Sequence, residues 1–230
     1  MKRKNLISVL LLFILVFCTL VPAEGAASGG WTVNKKAPSY LSTAEKAVFN
    51  KAVKGLTGVS YTPVYTIANQ TVAGRNYAFF CKAVTVTAKP VTSWKVMIVY
   101  ENLKGDCKIL SVNNFNFKNI KISKNIYKQA SGDGVWIYNK KSYSSKVKPK
   151  TALDAFNKAK ERYVGVSFTP LVLLGKQVVS GMNYRYLCLG KVSDAKGTVC
   201  LYTVDVYKDL KGSCSIKECN VVNISKYLNY

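Results

Sequence analysis

The chain has 230 residues, of which 49% are apolar, so it is long enough for one or two compact domains with cores of their own. It has 34 Lys and Arg residues against 11 Asp and Glu residues, and this formal net charge of +23 favours partners with an acidic or anionic surface. Histidine is absent, which excludes every mechanism with an imidazole base and every zinc site with a histidine ligand. We therefore expect no enzyme, no cofactor and no metal site.

Residues 1–27 are typical of a secretory signal peptide. Residues 2–4 are basic, and residues 6–21 form an apolar run that is shorter than the roughly twenty residues needed to cross a bilayer. Small residues follow at Ala23 and at residues 25–27, where they offer cleavage sites. We predict a secreted, extracellular mature chain without a transmembrane segment, in a compartment where disulfides persist.

The rest of the chain contains the same unit twice. Phe49-Asn50-Lys51-Ala52 recurs 107 positions later as Phe156-Asn157-Lys158-Ala159, and the ungapped register continues as far as Cys107, which aligns with Cys214. Each unit is about 95 to 100 residues long, which is the size of a domain rather than of a solenoid repeat. We place the first domain at residues 28–125 and the second at residues 126–230, with the boundary in the polar stretch 123–132.

Each unit is predicted to contain a strand, a helix and then four strands. In the first copy, a short strand around residues 31–34 precedes Ser42-Thr43-Ala44-Glu45, a capping box that begins an amphipathic helix, and Gly58 ends the helical pattern. Residues 61–68, 76–86, 93–102 and 107–115 are rich in β-branched and aromatic side chains, which is typical of strands. The predicted fold class is α+β: in each domain a four- to five-stranded antiparallel meander sheet is wrapped on one amphipathic helix.

A hairpin motif occurs at the same place in both copies. Gln70-Thr71-Val72-Ala73-Gly74 and Gln177-Val178-Val179-Ser180-Gly181 fit the pattern Gln-x-Val-x-Gly between the second and third strands, and each is followed by Asn-Tyr. Glycine also precedes the first strand, in Gly29-Gly30-Trp31 and in Gly134-Val135-Trp136. With the order of strand, helix and meander, these features make the chain similar to a tandem pair of cystatins, over nearly the whole mature sequence.

The resemblance implies a secreted, reversible inhibitor whose partner is a papain-like cysteine protease. In cystatins an apolar wedge enters the active-site cleft and blocks it without being cut, and preformed loops lose little entropy on docking. The implied protease-binding residues of this chain lie in three segments of each copy, namely the leader before the first strand, the hairpin, and the turn between the last two strands: Gly29, Gly30, Trp31, Gln70, Thr71, Val72, Ala73, Gly74, Leu103, Lys104, Gly134, Trp136, Gln177, Val178, Val179, Ser180, Gly181, Leu210 and Lys211.

The turn between the last two strands departs from the family pattern. The family usually presents Pro-Trp there, whereas this chain has Leu103-Lys104-Gly105-Asp106 and Leu210-Lys211-Gly212-Ser213. Aromatic side chains most often dominate the energy of an interface, so their absence predicts inhibition that is weaker, differently targeted or lost. Trp31 and Trp136 either act as anchors beside the glycines or pack at the edges of their own cores.

The mature chain has six cysteines. Cys200 and Cys219 occur only in the second copy and flank the turn at residues 208–213, so we predict a disulfide between them, and secreted cystatins are similar in having a bridge there. For the shared cysteines, recurrence favours Cys81 with Cys107 and Cys188 with Cys214, but in a meander another strand separates the partners. Their pairing stays open, and buried free thiols are the alternative.

The basic charge is divided evenly between the copies, with about +11 over residues 28–125 and about +10 over residues 126–230 by direct count. An excess of this size attracts anionic polymers or an anionic cell surface without sequence or structure specificity. The alternative function is therefore a non-inhibitory binding module that attaches through its basic surface. No sequence-specific recognition of nucleic acid is expected.

Overall fold

The structure, a computed structural model, describes residues 29–35, 41–115, 136–138 and 150–229, and the structural statements below concern those residues. The predicted signal peptide, Gly134 and the predicted boundary between the copies lie outside the described residues. Within the described ranges, no helix has both the length and the apolar composition required to span a membrane.

Two antiparallel sheets form most of the described chain. The first contains, side by side and in this order, β1 (Trp31–Val33), β2 (Val59–Val72), β3 (Gly74–Thr85), β4 (Thr92–Glu101) and β5 (Cys107–Asn114). The second contains, in the same sequential order, β6 (Trp136–Tyr138), β7 (Val166–Val179), β8 (Gly181–Val192), β9 (Val199–Lys208) and β10 (Cys214–Val221). The helices are α1 (Thr43–Val53), α2 (Lys150–Lys160) and the four-residue α3 (Ser225–Leu228).

Helix α1 begins at the predicted capping box. The Ser42 hydroxyl accepts a hydrogen bond from the Glu45 N–H at 3.1 Å, and the Glu45 carboxylate accepts one from the Ser42 N–H at 2.8 Å. The helix ends at Val53, before the predicted stop at Gly58, so Leu56 lies outside it and is 48% exposed. On the apolar face of this helix, Val48 and Phe49 are buried against the first sheet.

The predicted fold class, an α+β arrangement in which each sheet is wrapped on one helix, is wrong because both faces of each sheet are buried. Successive side chains on a strand point to opposite faces. On β3, Phe79 packs with Phe49 of α1, whereas the next residue, Phe80, belongs to a cluster that also contains Leu187 and Leu201 of the second sheet. The protein is therefore mostly antiparallel β, with the two sheets packed on each other, α1 and α2 on their other faces, and α3 at the cluster between the sheets.

A row of aromatic rings connects the first sheet to α3. Phe80 stacks on Trp94 with ring centroids 5.1 Å apart, and it meets Phe115 edge to face at 5.0 Å. Phe115 in turn stacks on Tyr227 of α3, at 5.3 Å. Aromatic pairs of this kind contribute about 0.5 to 1.5 kcal/mol each beyond the area they bury, so the C-terminal helix of the second copy helps to hold the first.

The predicted disulfide between Cys200 and Cys219 is not present, and none of the six described cysteines takes part in a disulfide. The pairing of β9 with β10 explains why, because Cys219 lies opposite Val204, which is four residues from Cys200. At about 3.3 Å per residue that offset is roughly 13 Å, beyond the roughly 7 Å between Cα atoms that a disulfide spans. Cys81 and Cys188, for which the pairing was open, are buried among apolar side chains.

Candidate functional site

The leader of the first copy lies against the first Gln-x-Val-x-Gly hairpin. Trp31 is opposite Gln70 in the pairing of β1 with β2, and the Gly29 N–H donates to the Thr71 carbonyl oxygen at 3.1 Å. The Gln70 side-chain Nε2 donates to the Gly29 carbonyl oxygen at 2.6 Å. The glutamine of the motif is therefore used within the chain, to fix the leader to the hairpin.

The asparagine that follows each motif fixes this glutamine. Asn76 Nδ2 donates to Gln70 Oε1 at 2.6 Å, and in the second copy Asn183 Nδ2 donates to Gln177 Oε1 at 2.7 Å. An amide oxygen held in this way orients the NH₂ group of the same side chain. The recurrence of Asn after the motif thus has a structural cause that is the same in both copies.

In each copy a tyrosine on the strand that leads into the second turn is bonded to the hairpin turn. Tyr100 Oη donates to the Ala73 carbonyl oxygen at 2.5 Å, and Tyr207 Oη donates to the Ser180 carbonyl oxygen at 2.5 Å. Each bond joins the hairpin turn to the last strand before the second turn. Sequence reasoning aligned the two tyrosines but gave them no role, although their recurrence was a usable signal.

The glycines that end the two motifs are required by their own chain. Gly74 has φ +123° and Gly181 has φ +126°, a region that L side chains rarely adopt. A Cβ at Gly74 would lie 2.9 Å from Tyr100 Cε2, and one at Gly181 would lie 3.0 Å from Tyr207 Cε2, with a still closer backbone carbonyl oxygen in each case. The absence of a side chain lets each hairpin press against the neighbouring strand.

The turn between β4 and β5 is held by side chains within it. Asn102 Oδ1 accepts from the N–H groups of Lys104 and Asp106, at 2.9 and 2.8 Å, and Lys51 Nζ of α1 donates to the Gly105 carbonyl oxygen at 3.0 Å. Leu103 stands at the tip and is 87% exposed. An apolar side chain is thus displayed to solvent on a turn with few free torsions.

The second copy has the same kind of turn between β9 and β10. There the Asp209 carboxylate accepts from the Ser213 N–H at 2.8 Å, and Leu210 at the tip is 85% exposed. The two tip leucines are the most exposed large apolar side chains among the described residues. Because both turns expose an apolar side chain in this way, each is a candidate binding site.

We call these two groups of segments the first rim (residues 29–31, 70–74 and 103–104) and the second rim (residues 136, 177–181 and 210–211). In the first rim the three predicted segments lie side by side at one end of the sheet, where the strands are joined by turns. The exposed members are Gly29, Gly30, Thr71, Ala73, Leu103 and Lys104, and in the second rim Val178, Ser180, Leu210 and Lys211. Val72 and Val179 are half-buried, and Gly181 is buried.

The two leader tryptophans pack within the chain. Trp31 is half-buried and lies against the cluster between the sheets. Trp136 is also half-buried, and its ring centroid lies 4.4 Å from Cζ of Arg185. Both rings therefore pack at the sheet edge, and their role as anchors for a protease stays a prediction.

Both rims are flanked by cations. Lys108 Nζ lies 5.5 Å from the ring centroid of Tyr100, and Lys217 Nζ lies 5.1 Å from that of Tyr207. Lys104 and Lys211 are exposed beside the tip leucines. Each rim therefore combines an apolar tip with positive charge.

No protein-family model matches the chain, and no curated protein matches it either. The resemblance to cystatins consequently rests on the doubled motif, the glycines of the leaders and the order of the elements. Within the ranges that the structure describes, no group of three or more Cys, Asp or Glu side chains is arranged to hold a metal ion.

Proposed function

We propose that this chain is a secreted, reversible inhibitor of papain-like cysteine proteases, and that one or both rims block the active-site cleft. The observation that supports the proposal is the way leader, hairpin turn and second turn are held together at one sheet edge by bonds within the chain. The exposed residues of these three segments offer one shared surface to a protease cleft.

The rims are suited to tight docking because they are already ordered. Binding costs about 0.5 to 1.5 kcal/mol for each side chain that must be immobilised, and this cost is small where turns are fixed beforehand. Leu103 and Leu210 supply apolar area at the tips, in place of the aromatic side chain that cystatins usually have. Smaller anchors predict a weaker complex than an aromatic anchor would give.

The hairpin also resists use as a substrate. The strands β2 and β3 stay paired as far as Val72 and Gly74, so that Ala73 alone lies between the paired residues. Peptide substrates bind proteases as extended chains, and this segment cannot extend without breaking the ladder and the bond from Tyr100. Inhibition without cleavage follows from that geometry.

Titration of papain with the full chain tests the proposal. We compare the wild type with Leu103→Ser, with Leu210→Ser and with the double variant, because both leucines are exposed and neither supports the core. We expect each single change to weaken one rim and the double change to abolish inhibition. A wild-type chain that leaves papain fully active at micromolar concentration would refute the proposed function, whatever the variants do.

A second candidate function is attachment to anionic polymers or to an anionic cell surface. It is favoured by exposed cations on and just after α2, which are Lys150, Lys158, Lys160 and Arg162. Retention on heparin that disappears in moderate salt would support this function, because exposed charges are screened beyond about 10 Å at 0.1 M salt. Protease binding that does not change with salt would instead favour inhibition.

A further inference from the structure

An ion pair occupies the second sheet where the first has only apolar side chains. Arg185 on β8 is opposite Asp205 on β9, and it donates to both carboxylate oxygens, from Nε at 2.5 Å and from Nη2. The two side chains are 9% and 15% exposed. The corresponding positions in the first copy are Ala78 and Ile98, which are fully buried.

A third position differs together with these two. In the sheet register Gly175 of β7 is paired with Arg185, whereas in the first copy the corresponding residues Ala68 and Ala78 form the pair. Directly paired residues point to the same face of an antiparallel sheet. A glycine at this point leaves room on that face for the guanidinium group.

The ion pair is connected to the second leader. Trp136 of β6 lies on the same face, and its ring centroid is 4.4 Å from Cζ of Arg185. The flat guanidinium group suits stacking on an indole, and its two bonds to Asp205 fix its plane. The contacts from Trp136 through Arg185 to Asp205 therefore reach from the edge strand β6 to the central strands β8 and β9.

We infer that Arg185, clamped by Asp205, is the positioning residue of the second leader, which it fixes to the sheet through the Trp136 ring. In the first leader Trp31 packs on the apolar cluster between the sheets, whereas Trp136 of the second lies on the guanidinium group of Arg185. The consequence for protease binding by the second rim rests on the proposed function. The positioning itself does not.

Hydrogen exchange in the full chain tests the positioning, with β1 as the internal control for β6. The variant Arg185→Met/Asp205→Asn removes both charges at once, so that neither is left buried without its partner. We expect the backbone amides of residues 136–138 to exchange about tenfold faster, and those of residues 31–33 to keep their wild-type rate. Unchanged exchange in β6, or equal acceleration in both strands, would overturn the inference.

Two further variants separate positioning from general stability. Arg185→Lys keeps the positive charge but loses the flat stacking surface, so we expect faster exchange in β6 with little change in urea unfolding. Gly175→Ala/Arg185→Ala/Asp205→Ile gives the second copy the residues of the first, and we expect it to restore slow exchange in β6. If this variant folds and β6 still exchanges fast, apolar side chains at these three positions do not replace the contact of Arg185 with Trp136, and the result supports a specific role for Arg185.

The same variants then test the link to binding. In a Leu103→Ser background, where the first rim is weakened, we expect Arg185→Met/Asp205→Asn to reduce papain affinity about tenfold. Loosened β6 with unchanged affinity would mean that the second leader is positioned by Arg185 but makes no contact with protease. If papain is not inhibited by the wild type, the proposed function fails, while the exchange rates still decide the role of Arg185.

Discussion

The Tyr100 hydroxyl and the Ala73 carbonyl oxygen lie 2.5 Å apart, and their hydrogen bond joins the hairpin turn to β4, two residues before the second turn of the first sheet. Tyr207 makes the same bond to Ser180 in the second copy. Because Gln70 ties the leader to the same hairpin, segments that are far apart in the sequence share one edge. The geometry of each rim thus depends on a few polar contacts between exposed segments.

Tyr100→Phe is expected to loosen the first rim while it leaves the core in place. The change removes the bond to Ala73 and keeps the ring, so we expect a loss of about 1 kcal/mol in the free energy of unfolding, measured with urea. In a Leu210→Ser background papain should be inhibited less strongly, because the hairpin turn is no longer bonded to β4. The matched control, Tyr207→Phe in that background, should leave inhibition by the first rim unchanged. Equal inhibition by both variants would speak against a role for this bond.

Gly181→Ala is expected to be more harmful than Gly212→Ala, although both glycines have positive φ. Gly212 has φ +87° with open space around its Cβ position, so alanine there costs about 1 kcal/mol of backbone strain. At Gly181 the added Cβ also meets Tyr207 and the backbone of Lys208, and we expect a loss of about 3 kcal/mol or more. Urea unfolding of the two variants measures the difference. Similar losses of unfolding free energy in the two variants would show that the hairpin makes room for the added Cβ at little cost.

The sequence predicted the elements of each copy well because their signals are local. The capping box at Ser42 and Glu45 is present, and the predicted strands 61–68, 76–86, 93–102 and 107–115 correspond to β2 to β5. The hairpin motif extends the second strand to Val72, beyond its predicted end. Period-two patterns and capping pairs act over a few residues, so one copy suffices to read them.

The packing of one sheet on the other was not predicted from the sequence, because it joins residues from different copies. The signal was present in β3 and β4, where Phe80, Val96 and Ile98 alternate with the residues that face α1. Strands that are apolar on both faces require two covering layers. The disulfide predicted between Cys200 and Cys219 is wrong for a related reason. Two cysteines on either side of a turn in the sequence need not be opposite each other, because the turn alone does not fix the register of the strands.

The first copy produced alone, as residues 28–125, is expected to self-associate. Without the second sheet it would expose Phe80, Val96 and Ile98, which are fully buried in the whole chain. A contiguous apolar surface of this kind drives association in water. Size-exclusion chromatography with light scattering should show dimers or larger species, and Val96→Lys/Ile98→Lys in the same fragment should reduce them. A monomeric, folded wild-type fragment would contradict the packing of the two sheets.

Alkaline pH is expected to destabilise the protein through Cys81. Burial raises the pKa of this thiol to about 12, whereas in the unfolded chain it ionises near 8.5. Below pH 8.5 the thiol is neutral in both states, so its contribution to stability is fully present. Above that pH the unfolded chain loses the proton and the folded chain keeps it, so stability falls as the pH rises from about 8.5 towards 12.

The measurement is urea unfolding of the wild type and of Cys81→Ala at pH 8 and at pH 10. The alanine variant loses some packing at both pH values but has no thiol to ionise, so the gap between the two proteins should narrow by roughly 2 kcal/mol at pH 10. Buried tyrosines such as Tyr65, whose pKa burial also raises, act equally in both proteins and cancel in the comparison. A gap of the same size at both pH values would mean that Cys81 reaches solvent in the folded state, and that the core beneath α1 is looser than its packing indicates.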